Sequence, residues 1–234
     1  MSKYFCLFFL LLGFVNFPEA VAQENNESTV DSLYREDQIY FGFTYNLLMG
    51  TPDGITGKQF SGGFHTGFVR DFPLNQRRNV ALGVGLGWSI NTYGQNLFLG
   101  EDAEGNTNFI NLDAEEIEFD KNRFSTQAID LPLQFRWRTS TPESYKFWRI
   151  YAGLRPSYVY YFRSKFVQPE LTVKQTDVPE FNRFRLGATF TFGYNTFNFN
   201  FYYSLNSFFN EDALIDGEQV DLKTFQVGLM FFLL

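Results

Sequence analysis

The sequence predicts an all-β protein: an eight-stranded antiparallel transmembrane β-barrel in which the strands follow one another in an up-and-down meander. Three observations predict this fold. Eight segments alternate apolar residues with small or polar ones at a period of two, which is typical of strands and not of helices. Their apolar faces are rich in rings, since the 234 residues include 31 Phe and 13 Tyr. The connections alternate between longer and shorter, as in outer-membrane barrels.

The first 22 residues have the pattern of an export signal. Lys3 precedes an apolar stretch over 4–17, and Ala20-Val21-Ala22 matches a cleavage site with small residues. The stretch is too short to span a bilayer comfortably. We therefore expect a signal peptide over 1–22, a polar periplasmic tail over 23–37 and an outer-membrane β-barrel domain over 38–234.

The eight strands are recognised by apolar residues of one parity. The clearest runs from Val80 to Ile90, where every second residue is large and apolar and the residues between are Ala, Gly or Ser. In chain order, the apolar faces run over 39–47, 60–68, 80–90, 129–137, 148–162, 184–192, 197–205 and 225–233. Pro132 and Pro156 fall inside two of these strands, so we expect a bulge or a rim position there.

The residues on the polar faces indicate which face of each strand points into the barrel. If the apolar faces pointed inward, as in a secreted ligand-binding barrel, the rings of eight strands would crowd an interior with little room. With the rings facing lipid, the small, polar and Arg residues fill the lumen. We favour the membrane barrel, with the secreted barrel as the alternative. An even number of strands places both termini on the periplasmic side and the long connections outside.

One stretch of sequence resembles a known family. Residues 129–136, Ile-Asp-Leu-Pro-Leu-Gln-Phe-Arg, followed by Tyr-Ala-Gly-Leu at 151–154, resemble the PorT-like family of small outer-membrane β-barrels. The resemblance implies the same fold over nearly the whole mature chain. A named member of that family is implicated in protein export by the type IX system, so the resemblance also implies a role in an envelope assembly.

The first candidate site is a basic cluster in the lumen. Buried charge is costly unless it is paired, so these arginines must meet a carboxylate, water or an anion. The two hypotheses are a polar plug with ordered water and an anion-preferring site or pore. The cluster consists of Arg136, Arg138, Arg149, Arg155 and Arg185, with Asp130 as the clear inward carboxylate.

The second candidate is the acidic connection over 93–123. Oxygen-bearing side chains at every second position resemble the start of a calcium loop, although the glycine is displaced and Asp stands where a bidentate Glu is usual. The alternatives are a solvated acidic loop and a docking surface for a basic partner. The weak metal-site residues are Asp102, Glu104, Asn106, Asn108 and Asp113.

The third candidate is His65, which is the only histidine. Acyl-transfer enzymes pair Ser with His, and Ser61 lies on the same face of the same strand. Four residues of extended chain separate the two by about 13 Å, which is too far for a hydrogen bond. No Walker loop, dinucleotide fingerprint, zinc spacing or Cys nucleophile is found, so we predict no catalytic residue and no cofactor.

These observations lead to three functional hypotheses. The first is a non-enzymatic barrel that serves as a structural or accessory subunit of an envelope, secretion or outer-membrane assembly complex. The alternatives are a small-solute, anion-preferring porin and a lipid-modifying enzyme. The expected partners are outer-membrane lipid and proteins of an envelope complex. A nucleic-acid partner is not expected, because the net charge is −7 and phosphates call for a basic surface.

Overall fold

The computed structural model describes residues 37–101, 106–139 and 147–233. The predicted signal peptide and all but the last residue of the predicted tail lie outside these ranges. Within them, no helix is long and apolar enough to cross a membrane. The strands are β1 Gln38–Met49, β2 Gly62–Pro73, β3 Val80–Gly94, β4 Leu97–Glu101, β5 Thr107–Asn111, β6 Lys121–Asp130, β7 Leu133–Arg138, β8 Trp148–Val167, β9 Thr172–Gln175, β10 Phe184–Tyr194, β11 Phe197–Ser204, β12 Leu214–Ile215, β13 Glu218–Gln219 and β14 Lys223–Leu233.

The predicted closed barrel is confirmed. β6 and β7 together fill one position between β3 and β8, so the sheet has eight strand positions. β14 pairs with β1 from Ile39↔Leu233 to Met49↔Lys223, which closes the sheet on itself. All pairs of neighbouring strands are antiparallel and follow chain order, as a meander requires.

The two prolines within strands lie next to each other, at the interruption between β6 and β7. β6 ends at Asp130 and β7 begins at Leu133, so Pro132 falls in the interruption. The Leu131 amide donates to the Pro156 carbonyl oxygen at 2.8 Å, and the Gly85 amide donates to that of Pro132 at 2.9 Å. The register is the same before and after Pro132, from Asp130↔Ser157 to Leu133↔Leu154, and Pro156 pairs with Leu186 in an unbroken ladder. The expectation of a bulge or a rim position at these prolines is therefore wrong, because cross-strand bonds on both sides hold Pro132 in the wall.

The rings form the predicted lipid-facing surface. Large side chains of one parity are exposed along every barrel strand, for example Leu86, Trp148 and Phe184. On β8, Trp148 marks the end with short turns, and Tyr160 lies near the end with long loops. Twelve residues of strand at a tilt of about 40° extend about 30 Å along the barrel axis, close to the thickness of a bilayer's hydrocarbon core.

One residue of the predicted outer face points inward. Gln127 pairs with Tyr161 and Ala128 with Val159, so Tyr160 is an extra residue that forms a β-bulge. The bulge reverses the parity of β8 beyond it. Phe162 therefore lies in the interior, only 2% exposed, which corrects its assignment to the lipid-facing side.

The long connections are not simply polar loops. They fold over one end of the barrel around a buried apolar cluster, which we call the cap. Phe208 lies at its centre. The centroid of its ring is 5.0 Å from that of Tyr93, 5.2 Å from that of Phe124 and 6.3 Å from that of Phe181, and the guanidinium carbon of Arg185 lies 4.1 Å from it. The expectation that the rings only coat the outside is therefore incomplete. The cap consists of Ile55, Tyr93, Leu97, Leu99, Phe109, Phe124, Ala128, Val159, Phe162, Val178, Phe181, Phe208, Phe209, Ala213, Ile215, Val220 and Leu222.

Candidate functional site: the barrel lumen

A buried charged layer lies inside the lumen near the end with short turns, over β3, which pairs with both β2 and β7. Asp71 on β2 faces Arg136 and Arg138 on β7, with N–O distances of 3.2 and 2.8 Å. Arg136 also donates to Gln38 Oε1 at 3.0 Å, and its guanidinium lies 4.5 Å from the centre of the Tyr151 ring. All three charged side chains are completely buried. Removal of any one of them would leave an uncompensated buried charge and would destabilise the barrel.

The neighbouring strand makes room for this layer. β3 presents glycine to the lumen at alternate positions, and a Cβ at Gly83 would lie 2.7 Å from Arg136 Nε. At Gly87, a Cβ would lie 2.1 Å from the Tyr40 hydroxyl. The small face that the sequence shows on this strand therefore accommodates large side chains from the adjacent β7 and from β1, two strands away. An apolar group, Tyr40, Val69, Tyr151, Met230 and Phe232, packs beside the charged layer.

Arg155 occupies the middle of the lumen. It donates to Gln226 Oε1 at 3.0 Å, approaches His65 Nδ1 at 3.4 Å and lies 4.1 Å from the centre of the Tyr202 ring. Asp130 lines the same small cavity, of about 30 Å³, and its Oδ2 makes no hydrogen bond to a described residue. A space of this size holds about two waters.

The remaining two arginines lie at opposite ends of the barrel. Arg185 donates to Ser204 Oγ at 2.6 Å, to the Asn206 carbonyl oxygen at 2.8 Å and to that of Ser207, and it stacks on Phe208 of the cap. Arg149 stacks on Phe147 at 4.2 Å, near the turns. The five predicted arginines thus all face the interior, but at three different levels and not as one cluster: Arg149 pairs with Arg138 at the turn end, Arg155 lies in the middle and Arg185 at the loop end.

Asp71 takes the role that the sequence suggested for Asp130. The predicted apolar face of the second strand ends at residue 68, and Asp71 lies beyond it. In the structure β2 continues to Pro73, and Asp71 has the same inward parity as His65 and Val69. Because the predicted end of the strand is a few residues too early, the inward position of Asp71, the principal counterion of the lumen, was not predicted.

His65 is part of the polar interior. Its Nε2 lies 3.1 Å from Thr44 Oγ1, and its Nδ1 faces Arg155. Ser61 is engaged elsewhere: its hydroxyl donates to the Gln59 carbonyl oxygen and accepts from the Gly94 amide. The structure therefore does not bring Ser61 and His65 together as a nucleophile and base, in agreement with their spacing.

The described part of the acidic connection includes a hairpin formed by β4 and β5. Asn108 lies in β5, which pairs with β4, so successive side chains there point to opposite sides. Asp113 binds Lys58 at 2.9 Å and accepts from Asn96 Nδ2 at 2.8 Å. The bond from Lys58 lowers the pKa of Asp113. Asn106 begins the described part after the gap, and Asp102 and Glu104 lie outside the described residues.

A family comparison identifies the barrel. Residues 21–210 match the family model described as the outer membrane protein beta-barrel domain. The chain belongs to this family. Membership agrees with the lipid-facing rings and the polar lumen and supports a location in the outer membrane. No curated protein matches the chain significantly.

Two solved structures have a similar arrangement of strands. The attachment invasion locus protein Ail of Yersinia pestis aligns with this outer-membrane barrel at 13% identity and a TM-score of 0.40, over 86% of this chain and 100% of Ail. A second structure of Ail, in complex with the heparin analogue sucrose octasulfate, gives 14% identity and a TM-score of 0.38 over the same shares.

Proposed function

We propose that this outer-membrane barrel is non-enzymatic, that its lumen is sealed, and that it acts as a structural or accessory subunit of a larger envelope assembly. Both termini then lie in the periplasm, and the cap faces outward. A secretion assembly of the type IX kind, which the PorT-like resemblance implies, is one form of this proposal.

The filled lumen is the observation that carries the proposal. Arg136 and Arg138 lie in the bore against Asp71, and none of the three side chains has exposed surface. Two cavities in the middle have volumes of about 30 and 20 Å³, and the cap covers the far end with buried rings. A barrel filled in this way has its loops and outer wall as working surfaces.

The separation of the arginines gives no support to the anion-preferring porin. A pore for anions needs cationic side chains that face a continuous aqueous path. Here Arg185 is bound by backbone carbonyl oxygens, and Arg155 by Gln226 and an aromatic ring. These contacts favour a polar plug.

The loop end offers one surface suited to a protein partner. A groove of about 670 Å³, which we call the acidic groove, runs between the connection after β5 and the turn after β8. Phe119 and Pro169 supply apolar surface, and carboxylates line its length. This mixture favours a basic, partly apolar segment of a partner. The acidic side chains are Asp113, Glu116, Glu118 and Asp120.

Affinity purification of the tagged full chain in mild detergent tests the proposal. We expect a stoichiometric envelope protein to copurify with the parent and to be lost from Glu116→Gln/Glu118→Gln, which removes two carboxylates from the acidic groove. The matched control is Glu211→Gln/Glu218→Gln, which removes two exposed carboxylates elsewhere at the loop end. Recovery of the barrel alone from the parent would contradict the proposal, and equal loss from both variants would contradict the assignment of the groove.

A further inference from the structure

Five cationic side chains form a compact group on the outer wall at the loop end, which we call the basic patch: Lys121, Arg123, Arg163, Lys165 and Lys174. They lie on three adjacent strands, β6, β8 and β9. Arg123 pairs with Lys165, and Lys165 pairs with Lys174, so three cations form one row across the sheet. Directly opposite side chains on neighbouring strands have Cβ atoms about 5 Å apart.

The basic patch faces away from the protein. The alternate residues Asn122, Phe124, Ser164 and Phe166 are buried, which places the cations of β6 and β8 on the outer side. The charges of the other four cations all act on Lys165. The five side chains are therefore one electrostatic unit and not scattered surface charges.

This arrangement is repulsive without an anion. Like charges directly opposite each other destabilise a sheet. Among the described residues, no ion pair joins a member of the basic patch to a carboxylate. The lysines that do pair with a carboxylate there are Lys58 and Lys223. No ion pair among the described residues offsets the repulsion between these cations. An external anion would therefore supply the missing stabilisation.

The height of the basic patch indicates which anion it meets. Arg163 and Lys165 follow Tyr161, an exposed ring near the edge of the lipid-facing band, by two and four residues. At a strand tilt of about 40°, they lie about 5 and 10 Å further along the barrel axis. The polar headgroup layer begins at the edge of the hydrocarbon core and is about 5 to 8 Å thick. Arg163 thus lies at the level of lipid phosphates, and Lys165 lies about 2 Å beyond the outer edge of this layer, from where its flexible side chain can turn back toward it.

We propose that the basic patch binds the phosphate groups of a phosphorylated glycolipid in the outer leaflet of the outer membrane. Arg123 and Lys165 form its centre, and Lys121, Arg163 and Lys174 surround them. This binding is separate from the protein contacts proposed for the acidic groove. The outer leaflet follows from the proposed outward direction of the loops, whereas the affinity for phosphate follows from the patch alone.

Titration of the detergent-solubilised full chain with fluorescent lipid A, followed by anisotropy, tests this site. Arg123→Gln/Lys165→Gln removes two cations from the centre of the patch. The control Arg70→Gln/Arg77→Gln removes two exposed cations at the turn end. At about 1 kcal/mol per cation near a lipid surface, we expect the first variant to bind diphosphorylated lipid A more weakly by about tenfold or more, and the control by less than about twofold.

Two further measurements separate binding from folding and from general charge effects. Dephosphorylated lipid A is expected to bind the parent about as weakly as diphosphorylated lipid A binds the patch variant. The patch variant is expected to be no less stable than the parent to urea in non-ionic detergent, because it removes like-charge repulsion. Equal losses in the two double variants, or equal binding of both lipids by the parent, would overturn the proposal. So would inorganic phosphate that binds the parent as tightly as lipid A.

Discussion

Arg138 and Asp71 form a two-pronged hydrogen bond inside the lumen, over the strand β3 that lies between β2 and β7. Nη1 donates to Oδ1 at 2.9 Å, and Nη2 donates to Oδ2 at 2.8 Å. Arg136 shares the same carboxylate, with its Nη1 3.2 Å from Oδ1. One buried carboxylate therefore holds two buried guanidinium groups, and this arrangement joins β2 to β7 through the interior of the barrel.

Asp71→Asn should be strongly destabilising. The substitution keeps the shape of the side chain but leaves two buried cations without that negative charge, which costs about 3 to 5 kcal/mol. Urea unfolding of the barrel in phospholipid vesicles measures the change. The control is Asp221→Asn, since Asp221 forms a partly exposed pair with Lys223 at 2.8 Å, and such pairs contribute about 0 to 1 kcal/mol. Equal losses for the two variants would contradict the role assigned to Asp71.

Arg155→Lys should destabilise the middle of the lumen although it keeps the charge. Lysine lacks the planar fork with which Arg155 meets Gln226 and His65 while stacking on Tyr202. We expect a loss of about 1 to 3 kcal/mol in the free energy of unfolding. Arg163→Lys, on the outer face of the same strand, should change it by less than about 0.5 kcal/mol. If Arg155→Lys left the free energy of unfolding unchanged, the charge alone would be sufficient at this position.

Phe208→Ala should weaken the cap. The ring contacts Tyr93, Phe124 and the guanidinium of Arg185, so its removal leaves a cavity that costs about 3 to 5 kcal/mol. Urea unfolding again gives the measurement, with Leu214→Ala as the control at an exposed apolar position. The control should lose less than about 1 kcal/mol. A similar, small effect of both substitutions would mean that the long connections are not packed as a core.

His65→Ala should leave the membrane lipids unchanged. His65 is bound to Thr44 and Arg155 inside the barrel, away from the lipid-facing wall. Mass spectra of lipid A from cells that produce the parent or the variant at equal levels should be the same. A lipid A species that appears with the parent and disappears with His65→Ala would instead support a lipid-modifying enzyme that depends on His65.

The wall of the barrel was predictable because each strand repeats one contrast. Lipid outside and packed polar groups inside impose a period of two, and Leu82, Leu86 and Ile90 show it without any knowledge of their partners. The period of two also predicts that Arg136, Arg138 and Arg155 face the interior. The bulge at Tyr160 was not predictable in this way, because one extra residue reverses the parity without changing the composition. Phe162 was therefore assigned to the wrong face.

The contacts within the lumen depend on pairings between distant strands. Asp71 and Arg138 are brought together by registers that a single strand does not encode, and Arg70 interrupts the apolar parity of β2 before it resumes at Phe72. The cap likewise depends on Phe181, Phe208 and Phe109 meeting from three different connections. The basic patch was missed for a similar reason: its cations are spread over 121–174 and become neighbours only when β6, β8 and β9 pair.

Single-channel conductance of the purified barrel in planar bilayers tests the sealed lumen most directly. A general porin reconstituted in the same way serves as the positive control, and a gel-mobility shift on heating establishes that the inserted barrel is folded. We predict no stepwise conductance for the parent, because Asp71, Arg136 and Arg138 fill the bore at one end and the cap covers the other. Reproducible steps with a preference for anions would contradict the account and support a porin.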